Sequence, residues 1–207
     1  DIPTAFHTLY GTALLLYVTP LIPSTRSAFT SPADLRSMAQ KKMRYPPTYY
    51  WLAALDVFAK GETIRKRKSE SDLKDEKEKE DWRLPLGWGR TLVCIADEKA
   101  SAELRERERS LLQSQSERPS NMASSQAPAS RNAQLLRESA HHLLVLAVDQ
   151  FTRGMLYMPR RSSLSDLLPF SRTRTLISIA DAVLDVAAKL SVPDDRAYWG
   201  RWVNGIL

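Results

Sequence analysis

Arg65-Lys66-Arg67-Lys68 is the densest chemistry in this chain: four consecutive cations of the kind a nuclear-import receptor or a phosphate backbone reads. Ser69 follows directly, and a phosphate there would add up to about two negative charges beside the run and mask it. Ser163 stands just past the paired arginines of Arg160-Arg161-Ser162-Ser163, a basophilic-kinase pattern; the competing assignment is a cation pair that complements a helix C-terminus. Tyr198, Trp199 and Trp202 crowd the last ten residues with large rings, and rigid aromatic side chains are favoured interface anchors. They are the partner-contact candidates.

The remaining reactive residue types are poorly arranged for chemistry. His141 and His142 are adjacent, which gives neither the i,i+3 nor the i,i+4 spacing of a helical metal pair, and Asp149 lies seven or eight residues further on. They read as one histidine at a helix seam and one in water, and His7, with no acid or histidine at helical spacing, reads as structural. Cys94 is the only cysteine. A helix start and Arg90 nearby would activate a thiol, but Val93 and Ile95 on either side assign it to the apolar side of its helix. The seven glycines form neither G-x-G-x-x-G nor G-x-x-x-x-G-K-[ST]. No catalytic residue, metal or cofactor is therefore expected.

What must position these residues is a helical body. Seven glycines in 207 residues leave little of the left-handed backbone that hairpins need. With 43% hydrophobic residues the chain can bury one sizeable core or two small ones without cross-links, and a single cysteine excludes an internal disulfide framework. No apolar run reaches the roughly 18 residues of a membrane span. Leu9 to Val18 has the length of a buried helix or a signal-peptide core, although Asp1 stands where a basic flank would be. The first residue is not Met, which reads as a fragment or a processed form. The net charge of +6 is spread along the chain, a mild hint of polyanion contact and no concentrated nucleic-acid face.

Periodicity locates the elements. Ile2, Phe6, Leu9, Ala13 and Leu16 step by four, three, four and three, so they are expected as the buried stripe of a first helix stopped by Pro20 and Pro23. Ser31-Pro32-Ala33-Asp34 opens a second helix to about Met43, and Thr48 to Ala59 a third, ended by Gly61. From Glu62 to Arg83 sixteen residues are charged, which makes an exposed insert, either a solvated loop or an exposed, fraying helix. Leu84 to Gly89 reads as a rigid turn, and Arg90 starts a helix carrying Leu92, Ile95, Ala96, Leu104, Leu111 and Leu112. Residues 114–132, rich in Ser, Gln and Pro, form the second insert, expected to be disordered. Asn132 then caps the most periodic helix (Leu136, Ala140, Leu143, Ala147, Phe151, Met155). Helices follow over Thr173–Leu190 and after Val192-Pro193-Asp194-Asp195.

The expected architecture is all-α: a compact bundle or stacked antiparallel hairpins of six to seven helices with two long polar inserts. By segment it runs 1–61 helices, 62–83 charged insert, 84–113 helix, 114–132 insert and 133–207 helices, together one domain. The function expected is a non-catalytic protein–protein interaction module of a larger nuclear assembly. The alternative is a helical domain contacting DNA or RNA phosphates through basic loops, and cytoplasmic is the alternative location.

Overall fold

A computed structural model describes residues 4–18, 45–71, 81–113, 134–159 and 170–207, with the backbone alone for residues 17–18, 65–71 and 113. Among the described residues the chain is all-α, with six helices and no strand: α1 (Thr4–Val18), α2 (Pro47–Ser71), α3 (Arg83–Gln113), α4 (Ala140–Tyr157), α5 (Arg172–Ala187) and α6 (Pro193–Ile206). The helix expected after Ser31 and the insert over 114–132 lie outside the described residues. The chain divides into two compact units, one of Asp1–Leu92 with Leu146–Arg160 and the other of Val93–Val145 with Arg161–Leu207.

Glycines set the packing of the first unit. The Phe58 ring of α2 is fully buried. A Cβ placed on Gly11 of α1 would stand 2.5 Å from its Cε1, and one on Gly87 of α3 would stand 2.8 Å from its Cζ. Real Cβ contacts are never so short, so the ring occupies space that only two missing side chains leave. Ala54 and Leu84 complete this core, with Leu14 and Trp88 packed against it. The same device recurs where Gly89 meets Phe151 at 2.6 Å and where Gly154 meets Leu86 at 2.5 Å.

This packing corrects three expectations. Gly61 does not end α2: it lies inside the helix, where a Cβ would be 2.9 Å from both His7 and Leu84, and α2 runs on to Ser71. Leu84 to Gly89 is not a turn but the first two turns of α3. Asp81 explains the start: its Oδ1 accepts from Arg83 N at 3.1 Å and its carbonyl from Leu84 N at 3.2 Å, and the first i→i−4 bond comes from Leu86 N. Pro85 fills the one intervening position where a missing N–H costs nothing. Third, α1 turns its His7, Thr8, Gly11 and Leu15 face inward, and Phe6, Leu9, Ala13 and Leu16 outward.

In the second unit, α4 begins at Ala140 and not near Asn132, because Ser139 Oγ accepts from His142 N at 3.1 Å as a helix cap. Leu136 sits in the preceding turn and is exposed, whereas Ala140 and Leu143 are buried. Lys99 of α3 fixes that turn, its ammonium donating to the Leu136 and Glu138 carbonyls. Lys189, just past α5, pairs with Asp97 of α3. Ser171 caps α5, accepting from Arg174 N, and Ile179, Ala180, Val183, Val186 and Ala187 form its buried face. Ile177 and Leu184, expected on that face, are exposed.

Beyond Ala100, α3 loses its buried face: residues 101–112 are all at least partly exposed, Leu104, Leu111 and Leu112 among them. Ion pairs along its own surface support it, Arg107 with Glu103 at 3.7 Å, Arg109 with Glu106 at 3.6 Å and Arg105 with Glu98 at 3.2 Å.

Glycine substitutions separate packing from propensity. Gly11→Ala forces its Cβ into the Phe58 ring and should cost ~1–3 kcal/mol. Gly200→Ala, in α6 with no neighbour within 4 Å, should gain ~0.5–1 kcal/mol of helix propensity. Opposite shifts of the urea midpoint are the expected outcome.

Candidate functional site

The three aromatic partner-contact candidates share one helix but not one environment. α6 opens at Pro193, with Asp194 and Asp195 in its first turn, where acids complement the helix dipole. One and a half turns later Trp199 is fully buried, Trp202 is partly covered and Tyr198 is half exposed. Trp199 meets Tyr198 edge-on at 4.8 Å and Trp202 at 6.3 Å. The Trp199 assignment is therefore corrected: it is a core ring, because α6 carries no other buried residue but Val203 to anchor it. Tyr198 and Trp202 keep accessible surface.

His141 of α4 lies over the same ring at 5.5 Å, and its Nδ1 stands 3.3 Å from Asp195 Oδ1. His142 points its Nε2 toward Glu138 at 3.8 Å and is half exposed. One histidine is thus at a seam and its neighbour is wet. No group of three His, Cys, Asp or Glu side chains that could hold a metal ion occurs among the described residues. Cys94 is partly covered.

Arg65 to Lys68 and Ser69 fall within α2, so of a solvated loop and an exposed helix, the two forms open to this charged stretch, the backbone here takes the helix; their side chains lie outside what the structure describes, and Ser163 lies outside the described residues altogether. The turn before them is firmly held. Glu62 is 7% exposed, and its Oε2 accepts from Arg153 Nη2 of α4 at 2.6 Å. A buried carboxylate tolerates that position only with a close, charge-assisted partner. Sequence charge counts assigned Glu62 to solvent because its partner is 91 residues away.

Among the described residues of the first unit, α1 carries a row of exposed apolar side chains. Phe6 is 48% exposed, Leu9 70%, Tyr10 49% and Leu16 55%, and Ala13 lies exposed between them. Single exposed apolar residues are ordinary, but a row along one helix is not. Phe6 and Tyr10 stack at 6.0 Å with an interplanar angle of 17°. The opposite face is fastened by Thr8 Oγ1 donating to Asp81 Oδ2 at 2.9 Å and by His7 beside Gly61. A signal for this inversion was present in the sequence: His7, Gly11 and Leu15 also recur at helical spacing, and Gly11 marks the face of closest approach.

Such features define a class of structure: among the described residues, an all-α protein packed through glycine–aromatic slots with an exposed apolar face on α1. No protein-family model, curated protein or solved structure matches the chain. No described helix is long and apolar enough to cross a membrane.

The polar pairs differ in depth, and substitution should separate them. Glu62→Ala removes a charge-assisted bond from Arg153 and should cost ~1.5–3 kcal/mol, whereas Asp195→Asn, which loosens a contact about one-third exposed, should cost ~1 kcal/mol or less. Chemical denaturation of both variants checks the order.

Proposed function

We propose that the chain is a non-catalytic helical module that binds protein through the outward face of α1, as a subunit or domain of a larger nuclear assembly. One observation carries the reading: the most regular three-four stripe of α1 is uncovered, while the protein's own core takes the opposite face. Leaving Leu9, Leu16 and two stacked aromatic rings half or more in water forgoes burial worth about 25 cal/mol for each Å² of apolar surface. A partner helix or groove recovers it. Tyr198 and Trp202 offer a smaller second surface.

Nuclear location rests on Arg65-Lys66-Arg67-Lys68, with Ser69 as its masking phosphosite. The same run supports the competing reading of phosphate contact with nucleic acid, but the charge of the chain is not gathered around it. Protein binding is the reading kept.

Affinity capture with mass spectrometry tests it, comparing the chain with its Leu9→Glu, Leu16→Glu variant. Both residues are exposed, so the melting temperature should hold within about 0.5 kcal/mol equivalent while captured protein falls at least tenfold. Unchanged capture, or submicromolar binding to duplex or single-stranded nucleic acid with a steep salt slope, overturns the reading.

A further inference from the structure

Ser110, in the distal part of α3, follows a run of arginines that the interaction reading leaves unused. Arg107 stands three residues before it and Arg105 five before it, with Arg109 immediately ahead and Leu111 immediately after. Ser110 is the only serine or threonine of the chain with arginine at both the third and the fifth position before it. Ser69 has Lys66 and Ile64 there, Ser71 has Lys68 and Lys66, and Ser163 has Arg160 and Met158. Guanidinium groups at fixed steps ahead of a hydroxyl are what the carboxylate-lined cleft of an arginine-directed kinase reads. Each planar fork takes a carboxylate in two parallel hydrogen bonds, a geometry lysine lacks.

A kinase substrate also needs a reachable hydroxyl and a backbone that can leave its helix. Ser110 is exposed, as are Arg105 and Arg109, and Arg107 keeps 41% of its side-chain surface. Residues 101–112 are all at least partly exposed, and the pairs Arg107–Glu103 and Arg109–Glu106 lie on the surface. Segments with few buried contacts open at the low end of a protein's range of local stabilities. Opening also assembles the motif. In the helix Arg105 and Arg107 stand about 200° apart and face different ways. In an extended chain side chains alternate, so Arg105, Arg107 and Arg109 line one edge together.

We infer that Ser110 is a phosphorylation site of an arginine-directed protein kinase, taken from the locally unwound distal part of α3. The bond from Ser110 Oγ to the γ-phosphorus of ATP forms as the bond from that phosphorus to the β–γ bridging oxygen breaks. ADP leaves with the electron pair, and the serine proton passes to the catalytic base of the kinase.

The test uses the full chain, Mg²⁺ with ATP and a kinase that requires arginine at both positions, with phosphopeptides mapped by mass spectrometry. Ser110 is expected to take most of the phosphate, and Ser110→Ala to remove that phosphopeptide. Arg105→Gln and Arg107→Gln should each slow modification of Ser110 at least about tenfold, the loss of one charge-assisted pair, with circular dichroism unchanged. The folded chain should react within about tenfold of the rate of a free peptide spanning 101–113, because little has to unwind. Phosphate confined to other residues, a rate at Ser110 indifferent to both arginines, or a folded chain more than about a hundredfold slower than the peptide overturns the inference.

Discussion

Phe58 enters the interior through two absences. Gly11 and Gly87 both approach its Cε1–Cζ edge, each at a separation that no side chain permits. Once the ring is seated, much of the first unit is determined. α1 must present Gly11 to α2, which fixes its rotation about its own axis, and that rotation carries His7, Thr8 and Leu15 inward and the Phe6–Leu16 row outward. Thr8 then reaches Asp81 at the head of α3, and His7 lies against Gly61. The exposed apolar row is thus a consequence of glycine placement and not of a missing core.

How much of this was legible in the sequence depends on what glycine was taken to mean. Its scarcity correctly indicated helices, and the later apolar stripes of Leu143, Ala147 and Phe151 and of Ala180, Val183 and Ala187 are buried as their spacing indicates. Gly61, Gly87 and Gly89 misled because single-sequence reading treats glycine as a helix stop, and its use as a contact surface depends on which distant ring arrives there. The outward face of α1 was misread for the same reason. A hydrophobic pattern reports which residues are suited to burial; it does not say whether the burying surface belongs to the same chain.

Charge was misread through locality as well. Glu62 opens a stretch so rich in ions that solvation is the natural inference, yet Arg153 draws it into the interior from far along the chain. By contrast Lys99, Lys189 and Asp97 join helices of the second unit near its surface, where such links settle geometry more than stability. Trp199 shows the same limit for aromatics: ring identity marks a residue as an anchor, and only the fold reveals that the surface anchored is its own.

The distal half of α3 has a different physical basis from everything that precedes it. Its side chains from 101 to 112 do without a buried face, and its surface ion pairs are worth ~0.3–0.5 kcal/mol each. Pairs so exposed fade as ionic strength rises, since the screening length falls from about 10 Å at 0.1 M salt to about 3 Å at 1 M. The glycine-packed interior has no such dependence. Salt therefore acts on this molecule as a selective softener, reducing the stiffness of a helical rod roughly 20 Å long while leaving the packing around Phe58 intact.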